Sequence, residues 1–140
     1  MARRIQVAVD CVHPVQLAQF WAEVLQYELA EPPDGHETWE ALSAADASRP
    51  GEGWCCIVDP DHTGPRLLFH SVPETKQVKN RVHLDVWVDQ PDPSVERRAL
   101  IQAEADRVLA LGATHVRTRD DDGQFYIVLQ DPEGNEFCVG

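Results

Sequence analysis

Between residues 82 and 88, the apolar side chains Val82, Leu84, Val86 and Val88 alternate with His83, Asp85 and Trp87. A β-strand sends successive side chains to opposite faces, so this period of two predicts a strand with one apolar face. Its other face carries an imidazole, a carboxylate and an indole. Residues 4–10 show the same pattern, with Ile5, Val7 and Val9 alternating with Gln6, Ala8 and Asp10. Leu17, Ala18, Phe20, Trp21, Val24 and Leu25 then recur at three- and four-residue spacing, which predicts a helix opening at Pro14. His13 stands where a capping Asp, Asn or Ser is more usual and reads as a surface histidine. Short strands are expected over residues 27–30, 39–43, 54–58 and 66–72, separated by Gly-, Pro- and Asp-rich turns at 32–35, 49–53 and 59–65. Residues 73–80 form a polar connector. A second helix is expected from Asp92-Pro93-Ser94 to about Leu111, with Leu100, Ala103, Val108 and Leu111 apolar and Gly112 ending it. Strands over 113–117, 125–130 and 136–139 follow, with turns at Asp122-Gly123 and at 131–135.

The order β-α-β-β-β therefore occurs twice, an internal repeat of architecture with little identity between its halves. The fold class is α+β: one domain over 1–140, with modules at about 3–72 and about 81–140 joined by the connector. Strand parity then sorts side chains into two faces. One carries Gln6, Ala8, Asp10, Arg66, Leu68, His70, His83, Asp85, Trp87, Glu136 and Cys138, joined by Tyr126 and Val128. The other, with Ile5, Val7, Val9, Leu67, Phe69, Val82, Leu84, Val86, Phe137 and Val139, is apolar and is expected to pack under the helices. Aromatic walls with a few convergent polar groups suit a small-molecule cleft. A hydrogen-bonded polar network with a purely structural role is the alternative, and Asp85 suits it as a partner for His83, Arg66 or the connector.

Composition narrows the function. A chain of 140 residues with 43% hydrophobic side chains buries an adequate core without staples. No apolar run approaches the roughly 20 residues of a membrane helix, and the start of the sequence lacks a signal-peptide pattern, so a cytoplasmic location is expected. Twelve basic against 24 acidic residues give a net charge of −12, which argues against nucleic acid or an anionic membrane as partner. Cys11, Cys55, Cys56 and Cys138 form no CxxC pair and read as free, mostly buried thiols. Lys76, Lys79 and Arg81 fall within six positions and would draw an anionic ligand to a cleft rim, unless they pair with Glu74 or Asp85.

The repeat, Phe20-Trp21 and the closing Asp131-Pro132-Glu133-Gly134-Asn135-Glu136-Phe137 resemble the vicinal oxygen chelate superfamily, which includes glyoxalase I, bleomycin-resistance proteins and extradiol dioxygenases. More narrowly, Val9-Asp10-Cys11, Arg66-Leu67-Leu68-Phe69 and residues 78–85 resemble its glyoxalase-like branch. The resemblance implies a curved mixed sheet around a cleft, and a homodimer. In metal-using members it implies four ligands, which fall here on Gln6, Leu68, His83 and Cys138. Leu68 has no donor atom, and Cys138 stands where the family has a glutamate. The expectation is thus a cleft without metal or other cofactor that binds a small organic molecule, an anionic one included. His83, Glu136 and His70 are the candidates for acid–base chemistry. Gln6, Arg66, Lys79, Arg81, Asp85, Trp87, Tyr126 and Cys138 are the candidates for ligand contact. Two alternatives stand beside this: a protein that sequesters a drug or metabolite through Trp87, Tyr126 and Trp39, and a zinc-type enzyme using Gln6, His83 and Cys138 with His70 close by.

Overall fold

Each half of the chain builds a four-stranded mixed sheet with a helix on its apolar side. The structure is a computed structural model that describes residues 3–33, 35–46, 53–121 and 123–140. It divides into two units, Met1–Lys76 and Gln77–Gly140. Asp34, Arg49 to Glu52 and Asp122, which belong to three of the expected turns, lie outside the described residues.

Unit 1 contains β1 (Gln6–Cys11), α1 (Pro14–Leu25), β2 (Glu28–Leu29), α2 (Trp39–Asp46), β3 (Trp54–Val58) and β4 (Arg66–Ser71). The sheet order is β1-β4-β3-β2, with β1 parallel to β4 and the other pairs antiparallel. Pro14 opens α1 at its first turn, and His13 precedes it without capping the helix through its side chain. Leu17, Ala18, Phe20, Trp21 and Val24 are buried as their spacing requires, and Leu67, Phe69, Cys55 and Ile57 are buried with them.

Residues 39–43 were expected as a strand and are instead the start of α2. Trp39 and Leu42, three residues apart, are both buried, whereas Glu40 and Ala41 are exposed, which is a helical burial pattern. Thr38 Oγ1 accepts the Ala41 N–H at 3.1 Å, as a helix-capping hydroxyl does. Trp39 Nε1 donates to the Ala30 carbonyl at 2.6 Å, and its ring meets Trp54 edge-on at 5.0 Å. Trp39 is therefore a core residue of unit 1 and does not line a cleft.

Unit 2 contains β5 (Asp85–Val86), α3 (Arg97–Ala110), β6 (Thr114–Asp121), β7 (Gln124–Gln130) and β8 (Glu136–Val139), in the sheet order β5-β8-β7-β6 with β5 parallel to β8. Residues 79–84 do not join the strand that was expected there. Backbone bonds between residues 84–88 and 138–140 continue the pairing, but β8 begins only at Glu136, whose N–H is taken by Asn80 Oδ1 at 3.1 Å. Val82 is 77% exposed rather than packed under a helix, and Ile5, just before β1, is 71% exposed. The alternation survives where pairing exists: Leu84, Val86 and Val88 are half-buried, while His83, Asp85 and Trp87 are exposed.

The second helix also starts later than expected. Asp92 Oδ1 accepts the N–H and hydroxyl of Ser94 at 2.9 and 2.7 Å, making a separate turn before α3. Ile101, Ala105 and Val108 form the buried stripe, while Ala103 and Leu111 are exposed.

The two Asp-Pro turns that precede the final strand of each unit are built alike. Asp131 Oδ1 accepts the Glu133 and Asn135 N–H groups at 2.9 Å each between β7 and β8, and Gly134 takes a positive φ of 85° to close that turn. Between β3 and β4, Asp59 accepts from the N–H groups of Asp61, Thr63 and Gly64 and from the Thr63 hydroxyl, at 2.7–3.0 Å. These bonds, that from Gly64 foremost, hold the Asp59 carboxyl down to about 2.

Gly64 cannot carry a side chain without conflict, since a Cβ there would overlap the Tyr27 hydroxyl oxygen. Gly64→Ala should cost about 1–3 kcal/mol in urea unfolding, and less in a Tyr27→Phe background. Equal costs in both backgrounds would remove the clash as the cause. Because the Asp59 carboxyl lies below its ordinary value of 3.8, its contribution is present above that value and is lost as the pH falls through about 2. The melting temperatures of the wild type and Asp59→Ala should differ near pH 6 and converge toward about pH 2.

Candidate functional site

The face of the unit 2 sheet that points away from its core is assembled by register. Asp85 lies beside Cys138, Cys138 beside Val128, and Val128 beside Arg117. Two residues along, Tyr126 lies beside Arg119, and Trp87 takes the corresponding place on the segment after β5. In the other direction Glu136 lies beside Gln130.

A cavity of about 680 Å³ opens at Gly140, just past the end of β8, and at Gln124, where β7 begins. It is lined by His83, Asp85, Trp87, Tyr126 and Cys138, five of the residues expected at a site. Its volume falls within the range of small-molecule pockets, and Trp87, 76% exposed, presents most of its indole to it and to solvent.

The chemistry of the polar groups is partly committed. Glu136 forms an ion pair with Lys79, and this hydrogen bond, aided by the charges of Lys79, His83 and Arg117, holds its carboxyl below the ordinary range. Glu136 is thereby a fixed carboxylate and a poor proton donor at neutral pH. Lys79, expected to draw an anion or to pair with Glu74 or Asp85, is neutralised by Glu136 instead. Burial, then the negative charge and hydrogen bond of Asp85, push the Cys138 thiol up to about 11. Cys138 is thus held as a thiol donating to Asp85, and Asp85 acts as its partner. His83 has no hydrogen-bond partner among the described residues, lines the cavity, and is near enough to Glu136 for its charge to act on that carboxylate.

Sequence reasoning missed Arg117, whose charge acts on both Glu136 and Cys138. Its strand was expected to end at Arg117 but runs to Asp121, and a register shift between His115 and Arg117 sets which face the guanidinium takes. Arg97, Arg98 and Phe125 were missed as well. Arg97 Nη1 donates to the Val88 carbonyl at 3.0 Å, while Arg98 pairs with Asp120 and lies 5.2 Å from the Phe125 ring centre.

The remaining expected residues sit elsewhere. Gln6 and Arg66 are register partners in unit 1, where Arg66 Nη2 donates to Cys56 Sγ at 2.7 Å. His70 Nδ1 lies 4.0 Å from Asp10 Oδ1, both exposed, also in unit 1. Arg81 is exposed and does not line the cavity.

The four family metal positions fall two in each unit, and their donor set does not fit a resident metal ion. Leu68 offers no donor atom. Cys138 stands where the family has a glutamate, so the set of Gln6, Leu68, His83 and Cys138 contains no carboxylate. Among the described residues no group of three or more His, Cys, Asp and Glu side chains is arranged to hold a metal.

A sequence profile of the glyoxalase-like domain family matches residues 6–140. No curated protein matches significantly. Fosfomycin resistance protein FosX from Listeria monocytogenes, in a complex with Mn(II) and 1S,2S-dihydroxypropylphosphonic acid, superposes with a TM-score of 0.66 at 10% identity, covering 99% of this chain and 91% of that one. FosX from Mesorhizobium loti gives 0.65 at 12% identity, covering 99% and 90%. A glyoxalase/bleomycin resistance protein/dioxygenase family enzyme from Burkholderia phytofirmans gives 0.62 at 16% identity, covering 96% and 94%. At these identities the likeness establishes the fold alone.

Cys11, Cys55 and Cys56 are buried, so alkylation of the folded protein reports on Cys138. Wild-type Cys138 should react slowly with iodoacetamide near pH 8, and Asp85→Asn should accelerate it by about three- to tenfold, since the neighbouring negative charge is gone. An unchanged rate would show that Asp85 does not control the thiol.

Proposed function

The chain belongs to the glyoxalase-like domain family of the vicinal oxygen chelate superfamily, and from that premise we propose that unit 2 binds a small, aromatic and anionic organic molecule in its cavity. The observation that carries this reading is that His83, Asp85, Trp87, Tyr126 and Cys138 line one cavity of about 680 Å³. Trp87 and Tyr126 supply aromatic surface. Arg97, which lines the cavity and makes no ion pair among the described residues, and Arg117, on the same sheet face beyond the lining, supply the countercharge that Lys79 has spent on Glu136.

His83 is the group suited to move a proton. It faces the cavity, whereas Glu136 is tied to Lys79 and Cys138 to Asp85. The reaction class is proton transfer of the lyase or isomerase type, with His83 as acid or base and no step routed through a metal. The same reading places the protein in the cytoplasm as a homodimer, on the strength of its family and sequence. A pure sequestering role is favoured by one observation, that three aromatic side chains (Trp87, Phe125 and Tyr126) line the cavity against a single histidine.

Anilinonaphthalene sulfonate, an aromatic anion, is a suitable probe. One molecule should bind per chain with enhanced fluorescence, and Trp87→Ala or Arg117→Ala should each weaken it by about three- to tenfold. Affinity unchanged in both variants would remove the cavity as the binding site. His83→Ala should alter affinity by less than about twofold, while in an enzyme it should lower turnover of a true substrate by about a hundredfold or more.

A further inference from the structure

A second, chemically different recess lies in unit 1. A groove of about 440 Å³ runs beside the Asp59 turn and is lined by Arg3, Arg4, Arg66, His62 and Thr63. It gathers three of the 12 basic residues of a chain whose net charge is −12. None of the three arginines makes an ion pair among the described residues.

Among the described residues Asp59 is the one acidic residue lining the groove; its ionised carboxylate is turned to its own loop, makes no ion pair with the arginines, and offsets only part of their charge. Both oxygens accept hydrogen bonds from the turn itself, four in all. Arg66 is held in place by donating to the buried Cys56 sulfur, and burial keeps that thiol above its ordinary value, so the sulfur brings no compensating charge. The turn is also rigidly specified. His62 adopts a left-handed backbone with φ 55°, and the Tyr27 hydroxyl packs where a side chain at residue 64 would be.

We propose that this groove binds a small molecule through a dianionic oxyanion group, a phosphate monoester or pyrophosphate. Three guanidinium groups without carboxylate partners exceed the charge of a single carboxylate, and their planar forks match phosphate oxygens in pairs. His62 and Thr63, carried by the fixed turn, add polar atoms at the same rim. The groove belongs wholly to unit 1 and does not depend on the cavity of unit 2.

Calorimetric titration of the full chain at low salt with inorganic pyrophosphate, phosphate and acetate tests this. One pyrophosphate should bind per chain, phosphate should bind more weakly, and acetate should give no measurable heat. Arg3→Ala with Arg4→Ala, and separately Arg66→Gln, should weaken pyrophosphate by at least about tenfold. The double variant alters exposed residues outside the strands and decides the matter if Arg66→Gln does not fold. Absence of pyrophosphate binding by the wild type overturns the proposal. So does binding that survives loss of Arg3 and Arg4 but disappears in Arg117→Ala, which would belong to the sheet of unit 2.

Discussion

In both units the first strand lies parallel to the last, and this pairing decides which side chains share a face. Its register is the same twice: Ala8 lies beside Leu68 in unit 1, and Asp85 beside Cys138 in unit 2. Because strand side chains alternate, a slip of one residue in either pair would exchange the apolar and polar faces. Leu67 and Phe69 in one unit and Phe137 and Val139 in the other fix the register by being buried. The polar face is a consequence of that burial. Once Phe137 and Val139 are under α3, Glu136 and Cys138 must point the other way, beside Asp85 and in reach of Arg117.

The strands that carry these residues are connected by turns that leave little freedom. Asp59-Pro60-Asp61 and Asp131-Pro132-Glu133 stand at corresponding places, each before the final strand of its unit, and each aspartate organises the turn through its carboxylate. Proline fixes one backbone angle, and the carboxylate collects the N–H groups that follow. The chemistry then diverges. The unit 1 turn adds Thr63 and a left-handed His62 and forms the edge of a basic groove, while Asp131 is itself buried and its turn simply closes the hairpin.

The fold was largely legible because both periodicities were strong. Leu17 to Val24 marked a helix, and the alternation around residues 7, 67, 84 and 137 marked strands. Trp39 misled because residues 39–43 are a short segment set between turn-rich stretches, too short to show a period, and burial of Trp39 and Leu42 reveals the helix. Val82 misled because alternation says nothing about whether a partner backbone exists, and here β8 starts too late to supply one. Parity put His83, Asp85, Trp87, Tyr126 and Cys138 on one face, and these five line one cavity. It had no means of finding Arg117, whose face depends on a register shift, or Arg97 and Arg98, which reach the cavity from a helix. Pairing of Lys79 with Glu136, 57 residues away, is likewise invisible without coordinates.

The repeat also explains why the two halves present opposite chemistry. By register, Arg66 in unit 1 occupies the place that Glu136 occupies in unit 2, two residues before Leu68 and Cys138 respectively. In unit 2 the carboxylate there is neutralised by Lys79, and Arg98, Arg107 and Arg119 are also paired with acids. In unit 1, among the described residues, the guanidinium has a sulfur and no carboxylate for a partner, and Arg3 and Arg4 add to its charge instead of cancelling it. Uncompensated like charges brought together cost free energy that an acidic protein has ample means to relieve, since 24 carboxylates are at hand. Among the described residues Asp59 is the one carboxylate beside the groove; it stays ionised but is turned to its own backbone, so three guanidinium groups outweigh it and the potential there stays positive, which is what a site for an external anion requires.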